Sequence, residues 1–126
     1  MPSILLIEDD AAIRMAAQEV LEAEGYSVLC ASNGQEGLNH LRQQHHQPDL
    51  PDLILLDIMM PVMNGWEFRQ EQKLLDRELS QIPVIVLSAD NRIEKKAQDM
   101  GVSAYVKKPI DLDALLKTIL HILRIK

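Results

Sequence analysis

Five short apolar runs recur along the chain, and each is continuous where a half-exposed strand would alternate. They are SILLIE (Ser3 to Glu8), SVLCA (Ser27 to Ala31), LILLD (Leu53 to Asp57), PVIVLS (Pro83 to Ser88) and AYVK (Ala104 to Lys107). Unbroken apolarity over so few residues reads as a strand buried on both faces, the condition of a parallel sheet covered by helices. The intervening segments change period. Ile13, Ala16, Ala17, Val20 and Leu21 form one helical stripe, and Leu112, Leu115, Leu116, Ile119, Leu120 and Leu123 form another. Gln35 to Gln44, Gly65 to Leu79 and Arg92 to Met100 read as less regular helices, the last closed by Gly101 at a C′ position. Five strands alternating with five helices make a doubly wound α/β domain. Right-handed crossovers leave few strand orders, and 2-1-3-4-5 leads at this size.

Length and charge bound the rest. The 126 residues make a single domain, 1–126, large enough to bury a core without staples. No run approaches the roughly 18 apolar residues of a membrane span. Ile4 to Ile7 is stopped at once by Glu8, so it is not read as a signal-peptide core, and a cytoplasmic protein is expected. Cys30 is the one cysteine, which excludes an internal disulfide and a cysteine zinc cluster and suggests a buried, inert thiol. With 19 acidic and 13 basic residues, the net charge of −6 argues against direct nucleic-acid binding.

Ligands of open α/β sheets bind beyond the carboxyl ends of the strands, where the order reverses. For 2-1-3-4-5 that point lies between the first strand, which runs into Glu8, Asp9 and Asp10, and the third, which ends at Asp57. A carboxylate closing a buried run is unfavourable unless something pairs with it. Glu8, Asp9 and Asp57 would also repel one another, and the ways out are raised pKa values, a cationic side chain or a bound metal. An all-oxygen carboxylate pocket suits Mg²⁺, which is the partner expected for Asp57. Ser88, ending the fourth strand, and Lys107, Lys108 and Pro109, following the fifth, point at the same place. A carboxylate, a divalent cation, a hydroxyl and an ammonium around one point are the parts of a phosphoryl-transfer site. Asp57 would be the nucleophile and would carry an aspartyl phosphate.

The motifs ILLIEDD, LILLDIMMPVMNG, VIVLSA and YVKKPI together resemble the receiver domain of two-component response regulators, over essentially the whole chain. The resemblance implies a flavodoxin-like (βα)5 fold with the same five-stranded parallel order. It implies that Asp9 ligates Mg²⁺ directly, that Glu8 acts mainly through water, and that Asp57 and the backbone carbonyl of Met59 complete the metal site. Asp57 becomes the phosphoacceptor, Ser88 the hydroxyl that meets the phosphoryl group, Lys108 the phosphate-pairing lysine and Tyr105 the aromatic switch. The implied partners are a histidine kinase or histidine phosphotransfer protein upstream, and a separate protein or fused output domain downstream. The protein would assist its own phosphorylation and dephosphorylation without being an enzyme in the usual sense.

Plainer roles fit several residues equally well. Asp10 is a natural helix cap, and Pro61 and Gly65 are turn residues. Met59, Met60 and Met63 are adaptable packing, because thioethers suit copper and not magnesium. His45 and His46 are adjacent, which cannot present one helical face, and belong to a polar loop, Gln43 to Asp52. Two other functions share parts of the pattern. A phosphohydrolase of the haloacid dehalogenase type needs a second Asp where Met59 stands. A flavin carrier would have its phosphate repelled by Glu8, Asp9 and Asp10, and 3% aromatic content leaves few rings to flank a flavin. The final helix exposes Asp113, Lys117, His121 and Arg124, against Arg92, Glu94, Lys95, Lys96 and Asp99 on the helix before it. Exposed pairs contribute only about 0–1 kcal/mol each, so a monomer or weak dimer is expected.

Overall fold

Within β1 (Ser3–Ile7), Ile4 and Leu6 face one side of the sheet while Leu5 and Ile7 face the other, as the two-residue period of a strand requires. All four are fully buried, so both faces are covered. The same alternation holds in β3 (Leu53–Asp57), where Leu53 and Leu55 oppose Ile54 and Leu56, and in β4 (Val84–Ser88), where Ile85 and Leu87 oppose Val84 and Val86. The computed structural model describes residues 2–44 and 50–124, and His45 and His46 lie outside them.

The five strands pair in parallel in the order β2-β1-β3-β4-β5, with β2 (Ser27–Ala31) and β5 (Ala104–Lys107) at the edges. One face carries α1 (Ala11–Ala23) and α6 (Leu112–Arg124), through Ala17, Leu21, Leu115, Ile119 and Ile122. The other carries α2 (Gly34–Gln44), α3 (Gly65–Lys73), α4 (Arg77–Ser80) and α5 (Ile93–Met100), through Leu38, Leu41, Phe68, Leu79 and Ile93. Each such leucine, isoleucine or phenylalanine contributes about 1.5–3 kcal/mol on burial. The fold is therefore the expected doubly wound sheet. Gly37 lets α2 lie close on β1, since a Cβ there would fall 2.5 Å from Ile7 Cδ1.

Two expectations are corrected. The helix read over Gly65 to Leu79 is broken in two: α3 stops at Lys73, Leu74 is 81% exposed, and α4 restarts after Asp76, whose carbonyl accepts from the Leu79 and Ser80 amides. A single helix of that span would run about 22 Å against a strand of about 17 Å and would overshoot the sheet. The edge strands, read as buried on both faces, are only partly covered: Ser27 and Lys107 are exposed. Cys30 is likewise half-buried, its thiol donating to Gln18 Oε1 at 3.3 Å, with burial the largest influence raising its pKa.

Candidate functional site

Because the strands are parallel, their carboxyl ends share one edge of the sheet, and the chemistry collects there. Glu8 leaves β1 with its amide bonded to Ala31 O at 3.0 Å and its side chain 1% exposed. Asp9 is exposed, and Asp10 caps α1, accepting from the Ile13 amide at 3.1 Å. Arg14 reaches back from α1 to donate to the Glu8 carbonyl at 2.8 Å. Asp57 closes β3 and is buried. Immediately beyond it the chain doubles back into α3, with the Gly65 amide donating to Ile58 O at 2.9 Å. Only glycine fits that approach, because a Cβ at Gly65 would stand 2.6 Å from Asp57 O and 2.9 Å from Ile58 Cα. Asn64 and Glu67 then cap α3 reciprocally.

Lys108 answers the question raised by a carboxylate at the end of a buried strand. Its ammonium lies 3.0 Å from Asp57 Oδ1 and 3.2 Å from Glu8 Oε1, and its amide donates to Ser88 O at 2.9 Å. A side chain is thus one partner of Asp57, the cationic way out that the sequence reading named beside a metal. Burial pushes the Glu8 carboxyl up to about 7, helped by its hydrogen bond to Asp57 and that residue's charge, while the Asp10 amide and Lys108 pull the other way. Burial lowers the Lys108 ammonium, but its hydrogen bond to Asp57 and the charges of Asp57 and Glu8 outweigh this, and the group sits above its ordinary value.

The site also fits a hard cation. One carboxylate oxygen from each of Glu8, Asp9 and Asp57 lies within 4.8 Å of the others, an oxygen-only set of high negative charge with one exposed member giving access. Met59 follows, 79% exposed, so the packing expected of it is not made, whereas Met60 and Met63 do pack against the core face. Ser88 stands one residue beyond the paired Asp57 and Leu87 on the neighbouring strand, and its buried hydroxyl accepts from the Asp90 amide at 3.1 Å. Tyr105 pairs in register with Val86 and packs, half-buried, against the core face that holds Ile93.

Glu8, Asp9, Asp57 and Lys108 are brought together, and Ser88 and Tyr105 lie on the strands alongside. Three contributions were not read from the sequence: the Arg14 hydrogen bond, the ion pair of Asp90 Oδ2 with Lys96 Nζ at 2.8 Å, and a buried arginine, Arg69. Charged residues on helices ordinarily read as solvated faces; only the position of Asp90, two residues past Ser88, was a signal.

The sequence pattern described as the response regulator receiver domain matches residues 4–120. Among curated relatives, transcriptional regulatory protein AfsQ1 of Streptomyces coelicolor is 39% identical over 96% of this chain and 52% of its own length. Protein PilH of Pseudomonas aeruginosa is 36% identical over 94% of this chain and 95% of its own. The chain spans about half the length of the first curated relatives it matches. Among solved structures, a CheY-like receiver domain protein from Methanospirillum hungatei is 28% identical with a TM-score of 0.83, covering 98% of this chain and 94% of its own. Chemotaxis response regulator CheY4 of Vibrio cholerae is 29% identical with a TM-score of 0.83, covering 97% and 98%.

Proposed function

The chain belongs to the response regulator receiver domain family, and we propose that it is a phosphorylation-controlled switch, taking a phosphoryl group on Asp57 from a histidine kinase or histidine phosphotransfer protein. The observation that carries this reading is the Lys108 ammonium placed between Asp57 and Glu8, 3.0 and 3.2 Å away. It supplies positive charge beside the one buried carboxylate that closes the central strand. An Asp57 oxygen attacks the phosphorus of the donor phosphohistidine; the new O–P bond forms as the N–P bond breaks, and the imidazole nitrogen leaves with the electron pair. Lys108 offsets the charge that gathers on the phosphoryl oxygens, and Ser88 donates its hydroxyl proton to one of them. Mg²⁺, when bound, would neutralise the remaining charge, held by Asp9, Asp57 and the Met59 carbonyl, with Glu8 acting through water.

The phosphoryl group biases Ser88, Tyr105 and α5 toward a second arrangement that the free protein already samples. A partner then reads the face built from α5, β5 and α6. That partner is a separate protein or a fused output domain, and the acidic surface disfavours direct contact with nucleic acid. Sparse exposed charges on this face, Asp113, Lys117, His121 and Arg124, support a monomer or weak dimer. The protein works in the cytoplasm, in keeping with the absence, among the described residues, of any helix long and apolar enough to cross a membrane. Fluorine NMR with beryllofluoride and Mg²⁺ tests the site. One bound species at unit stoichiometry, lost in Asp57→Asn, is the expected outcome; equal binding by that variant would remove Asp57 from the acceptor role.

A further inference from the structure

Arg69 is buried, 9% exposed, and no acidic group takes its charge among its described contacts. Its guanidinium donates instead to Met100 O at 3.1 Å and Gly101 O at 3.0 Å, at the carboxyl end of α5, and to Gln72 Oε1 at 2.8 Å, with a longer contact to Ser80 O at 3.4 Å. Gln72, fully buried, donates in turn to Leu79 O and Ile82 O. Burial lowers the guanidinium's pKa, yet the carboxyl ends of α5 and α4 offer carbonyl oxygens and the negative pole of the helix dipole in place of an anion. Met100 and Gly101 are 31 and 32 residues away in sequence. Two helices that otherwise meet only through packing are thereby fastened at one end.

The amino end of α5 is held differently. Asp90 Oδ1 accepts from the Arg92 amide at 2.8 Å and Oδ2 pairs with Lys96 Nζ at 2.8 Å, but the Lys96 and Asp90 side chains are 39% and 31% exposed. Exposed pairs of this kind hold weakly and yield to salt. This loose end is also the one tied to the site, through the Asp90 amide on Ser88 Oγ. The carboxyl end, in contrast, has Gly101 in the left-handed conformation with φ 66°, and the Gly101 and Val102 amides close the helix on Gln98 O and Ala97 O.

We propose that Arg69 is the pivot of the switch: α5 swings at its amino end about a carboxyl end fixed to α3, and does not slide or unwind as a whole. The proposal rests on α5 being the element that the phosphoryl group biases. A swing of this kind converts a small displacement at Ser88 into movement of the exposed residues Glu94 and Lys95 while Ala97, Met100 and Gly101 hold station. Ile93 and Tyr105 lie against the same core face, so the repacking falls there.

Amide exchange of the whole chain, followed residue by residue with and without beryllofluoride and Mg²⁺, separates the possibilities. In the wild type the Ile93 and Lys96 amides should change protection by about tenfold or more, while Gly101 and Val102 stay within about twofold. Arg69→Met should speed exchange at Gly101 and Val102 by about tenfold and make these amides respond to beryllofluoride. Arg69→Lys, which keeps the charge but loses the fork, should fall between the two. Equal changes at both ends of α5 in the wild type would overturn the pivot while leaving the switch intact. So would wild-type protection of Gly101 and Val102 in a folded Arg69→Met. If beryllofluoride binds and neither end responds, the switch reading fails and the pivot fails with it.

Discussion

Lys108 Nζ stands 3.0 Å from Asp57 Oδ1 although 51 residues separate them, and the same ammonium reaches Glu8, 100 residues away. One cation thus joins the ends of β1, β3 and β5. Lys108→Met would leave two buried carboxylates facing each other. Removing one partner of a buried pair costs several kcal/mol, and with the Lys108 side chain 23% exposed a loss of about 3 kcal/mol is expected at neutral pH by denaturant unfolding. The double variant with Asp57→Asn should lose clearly less than the sum of the two single changes. Strict additivity would mean that the pair is not coupled.

Divalent cation should stabilise the fold by mass action. Three carboxylates within 4.8 Å of one another carry more negative charge than the single Lys108 ammonium offsets. Mg²⁺ at 100 times its dissociation constant adds about 2.7 kcal/mol, visible as a rising Tm. Asp9 is exposed, so Asp9→Asn should fold normally and abolish that rise. A wild-type Tm indifferent to millimolar-scale Mg²⁺ would contradict the carboxylate pocket.

Glu8 makes stability pH-dependent in a direction opposite to that of most surface acids. Its pKa is 4.5 as an ordinary Glu and about 7 in the fold. An acid whose pKa rises on folding favours the folded state when protonated. Its contribution is therefore full below about 4.5 and is lost as the pH climbs through about 7. In chelator, the stability difference between the wild type and Glu8→Gln should move against the wild type across that window. A difference that is flat, or that favours the wild type as pH rises, would show that Glu8 ionises freely.

Gly65→Ala tests the approach of α3 to the loop that follows Asp57. The added Cβ meets backbone on both sides, Asp57 O and Ile58 Cα, and backbone cannot turn aside as a side chain can. Overpacking of this kind costs about 1–3 kcal/mol. The same shift should slow labelling of Asp57. Unchanged stability would mean that the loop relaxes freely.

The sheet was legible because its signal is local: β2 and β3, of five residues, and β5, of four, coincide with the apolar runs read for them, and right-handed crossovers leave few strand orders, of which 2-1-3-4-5 is the one formed. Convergence of Glu8, Asp9, Asp57 and Lys108 was legible for the same reason, since all lie at or just past strand ends. The break at Leu74 was not, because Gln72 and Leu79 lie seven residues apart and keep the helical stripe in phase across it. Nor was Arg69: its partners are carbonyls at the ends of two other helices, and any residue type supplies a carbonyl. Lys108 as the partner of Asp57 depended on a distance that spacing along the chain does not encode.

If the protein is a phosphorylation-controlled switch, Asp57 is where a phosphoryl group goes. Incubation with acetyl phosphate and Mg²⁺, followed by intact-mass measurement and peptide mapping, should show one acid-stable, base-labile phosphoryl adduct located on Asp57. Asp57→Asn under the same conditions should show none. An adduct that persists in that variant, or a wild type that takes no label while Mg²⁺ is bound, would contradict the account.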